Sequence, residues 1–543
     1  METKIGTKKH RLYIFLVLWF VSSSYNFAQT EDLVITKLFQ DSYHTIKSMR
    51  HANSIYLDKL MISGNDPTIP GAIVANGVGL ISLCIADAMY KKTSDAINWE
   101  PNAAAFVDTT LLKFIEFRNN MAINTKGLFR RYFDIHTGRK YKDWTDEYST
   151  IDNAIFAMGL IYCKNYFSDN LSIVNNVNTL LGSMDFSAAI SDDSLSLYMV
   201  LDSSGHGITS TITRPFNEYM IVAWLAKNLS ALKSGYNKSQ FYWNTYYSNP
   251  KSNLIPKPNY WGYELISDGG FISDFIPLFT YYYCHYYKNN IDYMDYFNNA
   301  RKADSLWWTK AYPGINSYEW GLGAGDNPGG GYSANAIDNN SIGIVSPQIM
   351  SGFLPIYAQG KSDLKTLYNK GTGLSVYQLP SDTSRRFLWR YSHTNTSQRC
   401  TYVQAVDFST MLYGLASLPE YLGPDFFDSC NNISPTETDV KVINNTIPLY
   451  CSLKQNYPNP FNPTTTISFD ISSKSFVSLK IYDILGKEIS VLILKELSAG
   501  LYACQWNTQG LASGIYFYHL QVHETTGEQA GSFVETKKLI LIR

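Results

Sequence analysis

Apolar residues recur at steps of three and four along most of the chain between residues 31 and 430. This spacing places them on one face of an α-helix, so the pattern predicts a mainly helical domain. No fixed repeat of about 30–45 residues is present, as a solenoid would require, and we therefore expect an all-α closed toroid of paired helices. The predicted helices are Val34–Arg50, Ala72–Lys91, Ala103–Asn119, Thr150–Tyr166, Glu218–Leu232, Ile276–Tyr287, Met294–Lys310, Pro347–Tyr357 and Phe408–Leu418.

The pattern changes after a polar segment, residues 431–455, which carries no helical period and is interpreted as a linker. From Thr464 onward apolar and polar residues alternate with a period of two, and Gly or Asn marks the turns between the runs. This period is that of half-buried β-strands. The sequence therefore predicts a second domain, residues 456–543, that folds as a small all-β immunoglobulin-like sandwich.

The N-terminus has the pattern of a signal peptide. Basic residues around Lys8 precede an apolar run, Leu12–Val21, and small and polar residues follow as far as Gln29. The run is too short to span a bilayer comfortably, so we expect residues 1–29 to be removed during export, with an uncleaved anchor as the alternative. No later run approaches about 18 consecutive apolar residues, which predicts no membrane span in the mature protein.

The composition narrows the possible partners. The 543 residues carry 45 basic and 46 acidic side chains, a balance that argues against a nucleic-acid partner. The seven cysteines show no C-x-x-C spacing and the nine histidines include no H-E-x-x-H motif, so we expect neither a metal site nor a cofactor. Aromatic residues make up 15% of the chain, which suits buried packing and also stacking on sugar rings.

A cluster of acidic residues precedes one of the strongest helix patterns, within the segment Gly127–Phe167. Carboxylates held where a loop enters a buried helix suggest acid–base chemistry, of the kind that cleaves glycosidic bonds with two carboxyl groups. A structural interpretation is also open, since Ser149 followed by Asp152 makes an ordinary capping box. The acids are Asp143, Asp146, Glu147 and Asp152.

The alternating C-terminal segment carries a series of short motifs, Asn456–Thr464, Ile481–Asp483, Gly486, Ser498–Gly500, Tyr502, Gly510, Ser513–Tyr516 and Lys537–Leu539. In this order they closely resemble the C-terminal sorting domain of cargo proteins of the bacterial type IX secretion system. The resemblance covers residues 456–543. It implies that the type IX secretion machinery is a partner, and that the protein is exported across both membranes of a double-membrane bacterium and then released or attached at the cell surface.

The helical domain contains a second ordered set of motifs, Ala75–Leu80, Phe133–Arg139, Glu147–Ala154, Phe216–Met220, Pro277–Phe279 with His285, Trp320–Leu322 with Asp326, and Ser346–Pro347. This set resembles the glucoamylase-like family of (α/α)6-barrel proteins, which includes bacterial β-1,2-glucanases. The resemblance implies a glycoside hydrolase that cleaves a glucan by an inverting mechanism, with β-1,2-glucan as the substrate. The sequence departs from the family around His285, where the family usually has a Gln before the His and an Asp after it.

Glycoside hydrolysis requires one protonated carboxyl group and a second, ionised one. Glu218 fits the acid, because Asn217 can cap its helix and the aromatic neighbours would favour the protonated form. The resemblance supports the same role. Glu147 ranks first as the partner because it lies on the loop before the N-cap, with Asp143 and Asp146 as alternatives from the same loop. A solvated acidic loop without a catalytic role is the structural alternative.

Further residues are candidates for substrate binding, and each also has a structural interpretation. His285 lies between tyrosines on a predicted helix, where a histidine is commonly part of the core, and the Gly-rich segment of residues 317–335 can be a purely structural loop. A non-catalytic carbohydrate-binding protein on the same scaffold and a polysaccharide lyase are the alternative functions. The candidates are Asp152, Tyr219, His285, Trp320, Asp326 and Asp407.

Overall fold

A computed structural model gives the architecture of the chain. It describes residues 32–542 except 65, 121, 145–146, 230–234, 268–272, 338, 341–342, 434–440, 445–447, 463, 509–511 and 525–531. The predicted signal peptide, residues 1–29, lies outside the described residues, as does part of the predicted linker. The chain divides into two compact units, of which the first comprises Met1–Trp224 and Gln240–Asn431 and the second Leu225–Ser239 and Asn432–Arg543.

Helices dominate the chain up to Asn431, as the periodicity predicts. They are α1 (Leu33–Lys47), α2 (Ile73–Thr93), α3 (Ala103–Asn119), α4 (Thr150–Tyr166), α5 (Leu171–Ser183), α6 (Met220–Leu229), α7 (Tyr236–Tyr246), α8 (Phe275–Tyr283), α9 (His285–Lys288), α10 (Ile291–Ala311), α11 (Pro347–Gly352), α12 (Gln359–Lys370), α13 (Ala405–Ala416) and α14 (Asp425–Asn431). The predicted bounds of α3 and α4 are confirmed. The predicted helix Ile276–Tyr287 is instead divided into α8 and α9, because the backbone at Cys284 is extended, with φ −132° and ψ 100°.

Short antiparallel strand pairs surround the ends of the helices. Among the described strands, three end directly before α2, α4 and α13, and they fix the direction in which the chain enters each of these helices. The pairs are β1 (Lys59–Met61) with β16 (Tyr402–Gln404), β2 (Gly71–Ala72) with β3 (Tyr132–Phe133), β4 (Tyr148–Ser149) with β6 (Val200–Leu201), β5 (Leu197–Tyr198) with β7 (Ile212–Thr213), β8 (Asn259–Tyr260) with β9 (Tyr263–Glu264), β10 (Ala324–Asp326) with β11 (Tyr332–Ala334), β12 (Ile344–Val345) with β15 (Tyr391–Ser392), and β13 (Val376–Leu379) with β14 (Asp382–Leu388).

The packing of α2 against α4 forms the centre of the first unit. Every residue of α2 from Ile73 to Asp87 is buried. Among the described helices, α2 alone is long and apolar enough to cross a membrane, but its burial inside the protein is typical of a core helix. Two glycines permit the close approach, since a Cβ atom at Gly77 would lie 2.5 Å from the carbonyl oxygen of Ile155, and one at Gly159 would lie 2.6 Å from that of Gly77.

The central helices run parallel, so their N-terminal ends lie at the same end of the domain. In the first pair, Gly77 of α2 meets Ile155 of α4, and the Sγ atoms of Cys84 and Cys163, farther along the same helices, are 3.8 Å apart. In a second pair, the Thr410 hydroxyl of α13 donates to the Gln348 carbonyl of α11 at 3.0 Å. α13 also packs against α2, which joins the two pairs.

The C-terminal segment is β-rich, as the alternating pattern predicts. Two four-stranded antiparallel sheets have the orders β17-β22-β19-β18 and β21-β20-β23-β24. Their strands are β17 (Lys441–Asn444), β18 (Ser452–Leu453), β19 (Thr464–Ile471), β20 (Ser475–Tyr482), β21 (Glu488–Leu497), β22 (Gly500–Asn507), β23 (Gly514–Glu524) and β24 (Ser532–Leu541). Buried residues from both sheets, among them Ile467 and Leu479, form one hydrophobic core, so the two sheets pack face to face.

The contact between α2 and α4 predicts an asymmetry between two Gly→Ala substitutions. Gly77→Ala should lower the stability of the first unit by about 1–3 kcal/mol, because the new methyl group meets backbone that cannot move aside. Gly182→Ala in α5 is the matched control, since a Cβ atom there has nothing within 4 Å, and alanine should add up to about 1 kcal/mol through its helix preference. Calorimetric melting temperatures measure both effects, and an unchanged melting temperature in Gly77→Ala would contradict the close approach.

Candidate active site

The candidate site lies where several helices begin. Asp152 is in the first turn of α4, Asp407 is in the first turn of α13, and Glu218 lies two residues before the first residue of α6. The start of a helix carries unpaired amides and a partial positive charge, which favour carboxylates placed beside it. Acids from separate segments of the chain are thus collected at one end of the helical domain.

Asp152 has the capping position that the sequence predicts. Ser149 is the N-cap of α4, and its hydroxyl accepts a hydrogen bond from the backbone amide of Asp152 at 3.3 Å. The Asp152 carboxylate points elsewhere, because its Oδ2 atom lies 3.5 Å from Nε of Arg131. Capping therefore uses the backbone of Asp152 and leaves its side chain facing the site.

Arg131 links two of the candidate acids, and sequence reasoning missed it. One guanidinium nitrogen, Nη1, lies 3.6 Å from Oε2 of Glu147, while Nε lies beside Asp152. The backbone of Arg131 is fixed as well, since its amide donates to the Glu147 carbonyl at 2.8 Å and its carbonyl accepts from Ile73, the first residue of α2, at 3.0 Å. Asp152 raises the pKa of Arg131 further, so the guanidinium is a permanent positive charge between the carboxylates.

Glu218 lies in a tight turn before α6 rather than within its first turn. The Asn217 side-chain oxygen accepts the backbone amide of Tyr219 at 3.0 Å, so Asn217 organises this turn as the sequence suggests. Phe216 adopts a left-handed φ of 74°, which is uncommon for an aromatic residue and marks local strain. Burial raises the pKa of Tyr219 well above its usual value, and the charges of Glu218, Asp152 and Glu147 raise it further. The Tyr219 hydroxyl is therefore within electrostatic reach of all three acids.

Asp58 is a second residue that sequence reasoning missed. It lies in an extended segment between α1 and α2, where its amide donates to the Pro70 carbonyl at 3.0 Å and its carbonyl accepts from Ala405, the first residue of α13, at 3.1 Å. Burial raises the pKa of its carboxyl group to about 6, and the charge of Asp152 contributes to the rise. Asp58 had no periodic or motif signal in the sequence, because it belongs to no regular element.

Asp407 faces the site with one unpaired oxygen. Its Oδ1 atom accepts a hydrogen bond from the Tyr332 hydroxyl at 3.1 Å, whereas its buried Oδ2 atom has no hydrogen-bond partner in the described structure. Burial raises the pKa of Asp407 to about 7, with contributions from Asp58 and Asp152. Tyr332 is 57% exposed, so it links solvent to the buried Asp407 through the hydrogen bond of its hydroxyl group.

Arg390 holds the Gly-rich segment that carries Tyr332. The side chain is fully buried and donates to the backbone carbonyls of Gly323, Gly325 and Ser333 and to the side chain of Asn335. Backbone oxygens instead of carboxylates thus surround this cation, and burial lowers its pKa. The fixed loop determines where the Tyr332 hydroxyl meets Asp407.

Two predicted substrate-binding residues of the Gly-rich segment have structural partners instead. Asp326 is buried, and its Oδ2 atom accepts the backbone amides of Thr401 and Tyr402 at 2.7 and 3.0 Å, so it joins β10 to the chain before α13. Trp320 is only 1% exposed, and its indole nitrogen donates to Asp363 at 3.2 Å. A ring buried in this way offers no face to a sugar, which corrects the prediction that Trp320 binds substrate.

Two further acids were candidates for the base. Asp143 is exposed on the loop that leads to Glu147, and Asp146 lies outside the described residues. His285 starts α9 and packs edge-on against Trp224, with ring centroids 5.2 Å apart, which places it in an aromatic cluster. This surrounding agrees with the structural interpretation of a core histidine.

An exposed tryptophan lies near Arg131 and the acids that it contacts. Trp144, 41% exposed, packs edge-on against the ring of Tyr132 with centroids 5.0 Å apart, and Tyr132 stacks in turn under the guanidinium of Arg131 at 5.1 Å. An aromatic ring open to solvent next to charged hydrogen-bonding groups suits the binding of sugars. Within the described ranges, no group of three or more histidine, cysteine, aspartate or glutamate side chains is arranged to hold a metal ion.

Solved structures with the same architecture are known. An endo-β-1,2-glucanase from Chitinophaga pinensis, in complex with sophorotriose and glucose, matches with a TM-score of 0.61 at 14% identity, covering 75% of this chain and 97% of that one. A β-1,2-glucanase from Parabacteroides distasonis matches with 0.59 at 14% identity, covering 75% of this chain and 59% of that one. An endo-β-1,2-glucanase from Talaromyces funiculosus, in complex with sophorose, gives 0.53 at 14% identity, with 74% and 85% covered.

The sequence comparisons identify the C-terminal segment. Residues 455–538 match the secretion system C-terminal sorting domain, which confirms the predicted resemblance. A comparison of the sequence with curated proteins found no match. The first unit therefore has the glucoamylase-like (α/α)6-barrel fold seen in glycoside hydrolases, and the C-terminal segment is a sorting domain for type IX secretion to the cell surface or the extracellular space.

Proposed function

We propose that this protein is a secreted glycoside hydrolase that cleaves a glucan, with β-1,2-glucan as its substrate. The observation that carries the proposal is the collection of Glu147, Asp152 and Glu218 around Arg131 and Tyr219 at the start of three helices. Structures of three β-1,2-glucanases from different organisms share the fold, which supports the choice of substrate. Exposed aromatic rings beside the acids add surfaces on which sugars can stack.

In the proposed mechanism Glu218 protonates the leaving oxygen and Glu147 activates the attacking water. Glu218 lies beside the buried Tyr219 and Phe216, surroundings that favour a protonated carboxyl group. Glu147 lies beside the Arg131 guanidinium, with its Oε2 atom 3.6 Å from Nη1. An inverting reaction requires these roles to be separate and leaves room for a water molecule between carboxyl groups about 6.5–9.5 Å apart.

Asp407 and Asp58 have a different role in this proposal. With pKa values of about 7 and about 6, both carry a proton over much of the weakly acidic range. A protonated carboxyl group can donate a hydrogen bond as well as accept one. We therefore infer that they bind sugar hydroxyl groups, with the unpaired Oδ2 atom of Asp407 as one contact point. Asp152 orients Arg131, and Tyr219 contacts the sugar.

The proposed function is consistent with a chain of four segments. We assign residues 1–29 to an export signal, 31–430 to the catalytic domain, 431–455 to a linker and 456–543 to the sorting domain. Two packed antiparallel sheets are the arrangement of an immunoglobulin-like sandwich, which we propose for the sorting domain.

Removal of the proposed acid should abolish turnover. Glu218→Gln should lower kcat on linear β-1,2-glucan by about 100–10,000-fold, the range that a general acid contributes, with melting temperature unchanged. Reducing-end release measures the rate, and Glu116→Gln on the exposed surface of α3 is the control that should match the wild type. Unsaturated products would indicate a lyase instead. Binding of glucans without any turnover by the wild type would favour a non-catalytic carbohydrate-binding protein.

The partner of Glu218 can be identified by comparing two acids on one loop. Glu147→Gln should lower kcat by about 100-fold or more, while Asp143→Asn should stay within a few-fold of the wild type, because Asp143 has no described contact with Arg131. Proton NMR of the first product formed should show inversion of the anomeric configuration. Loss of activity in Asp143→Asn alone would transfer the base role to that residue, and retention of configuration would refute the inverting mechanism.

The raised pKa of Asp407 predicts a pH-dependent stability. Between pH values of about 4 and 7 the folded protein keeps a proton that the unfolded chain has released, so the free energy of unfolding should fall as pH rises, by up to about 4 kcal/mol. Asp407→Asn should flatten this fall, and the double variant with Asp58→Asn should flatten it further. Melting temperatures of the barrel transition from pH 4.5 to 8 test this, with Asp143→Asn as the control. An unaltered slope in Asp407→Asn would show that burial does not protonate this group.

A further inference from the structure

A hairpin with an exposed tryptophan at its tip projects from the helical domain. β8 and β9 pair Asn259 with Glu264 and Tyr260 with Tyr263, which leaves Trp261 and Gly262 as the two turn residues. Both have positive φ, 54° and 96°, as a type I′ turn requires. Asn, Asp and Gly normally occupy the first of these positions, because other residues are strained there.

Trp261 is thus unfavourable at its position on two counts. Its backbone is in the left-handed region, and 43% of its large apolar side chain is exposed. Neither feature contributes to folding, since the turn would form more readily with Asn and the ring would be more stable if buried. A strained and exposed residue of this kind indicates a function outside the fold.

A polar groove lies beside this hairpin, along α10. The hairpin lies along α10 and contacts it at three positions. Asn299 donates to the Glu264 carbonyl at 3.0 Å. Farther along the helix, the Lys302 ammonium lies 5.8 Å from the Tyr263 ring, and the Lys310 ammonium lies 5.8 Å from the Trp261 ring. The groove is open to solvent and has a volume of about 510 Å³. It is lined by Gly262 and Glu264 of the hairpin, which adjoin Trp261 and Tyr263 in the chain, by residues of α10, and by Lys251 and Lys257 from the segment before the hairpin. It shares no lining residue with the acidic site around Arg131.

The charges of the groove are balanced, which indicates an uncharged ligand. Lys251 and Asp292 already form an ion pair of 3.0 Å, and Asn298 and Asn299 add neutral donors and acceptors. A net positive or negative groove would favour an ionic partner, whereas this one offers hydrogen bonds of both polarities to hydroxyl groups. The charged lining residues are Lys251, Lys257, Lys302, Glu264, Asp292 and Asp295.

We propose that the groove between the hairpin Asn259–Glu264 and α10 binds a neutral polysaccharide chain, with Trp261 stacking on a sugar ring at one end. Tyr296 adds an aromatic ring to the lining of the groove, and the asparagine and charged side chains bind hydroxyl groups. The site is separate from the proposed catalytic one and does not require turnover. The groove would hold the protein on the polysaccharide while another segment of the same polysaccharide occupies the acidic site around Arg131.

Affinity electrophoresis of the full-length protein in native gels tests the proposal, with linear β-1,2-glucan, a linear β-1,3-glucan or dextran as neutral probes and polygalacturonate as the anionic probe. We expect a neutral glucan to retard the wild type. Trp261→Asn should raise the dissociation constant at least tenfold and keep or raise the melting temperature, because Asn accepts the left-handed turn position. Trp261→Phe should retain part of the binding. Phe241→Ala removes a comparably exposed ring on α7 outside the groove and should bind as the wild type does.

Three results would overturn the proposal: no retardation of the wild type by any neutral probe, equal retardation of Trp261→Asn and the wild type, or retardation by polygalacturonate alone. Hydrolysis of short oligosaccharides separates this proposal from the catalytic one. Trp261→Asn should cleave them at the wild-type rate, whereas Glu218→Gln should be inactive and still be retarded by the polymer. If the wild type hydrolyses no glucan and Trp261→Asn alone loses retardation, the catalytic proposal fails but the proposed binding groove is supported.

Discussion

The unpaired backbone amides at the starts of the central helices are the constraint on which the candidate site depends. A helix cannot satisfy its first amides internally, so neighbouring segments must supply acceptors. Here the first amide of α2 bonds to the Arg131 carbonyl, and the first amide of α13 bonds to the Asp58 carbonyl. The segments that complete the helices are therefore the segments that carry the charged groups. Parallel packing of α4 against α2 across Gly77, and packing of α13 against α2, then bring the starts of these three helices together.

Two arginines organise the site in different ways. Arg131 lies between Glu147 and Asp152 and keeps its charge where a substrate can meet it. Arg390 is buried among backbone carbonyls and fixes the loop whose Tyr332 reaches Asp407. A buried cation without a carboxylate partner is costly unless its hydrogen bonds are satisfied. The hydrogen bonds that Nη1 and Nη2 of Arg390 donate to Gly325, Ser333 and Asn335 offset part of this cost, and they hold the Gly-rich loop in place.

The sequence predicted periodic features well and isolated ones poorly. The bounds of α3 and α4 and the cap at Ser149 follow from local patterns, and the structure has them. Asp58 and Arg131 have no such signal, because their positions are set by bonds to helices far away in the chain. Trp320 was predicted to bind substrate from its place in the Gly-rich segment, whereas its ring is buried and its indole nitrogen donates to Asp363. Local chemistry thus identifies candidate residue types, and long-range backbone pairing decides which of them meet.

The same long-range pairing divides the acids into two kinds. Glu147 and Asp152 share the positive charge of Arg131, whereas Asp58 and Asp407 form no ion pair among the described residues. Burial outweighs the nearby charges of Arg131 and Arg390 and raises the pKa values of Asp58 and Asp407 to about 6 and about 7. Acid–base chemistry near neutral pH requires protonated and ionised carboxyl groups side by side. Burial therefore keeps Asp58 and Asp407 protonated to a higher pH than an exposed carboxyl group, while Arg131 places a positive charge beside Glu147 and Asp152.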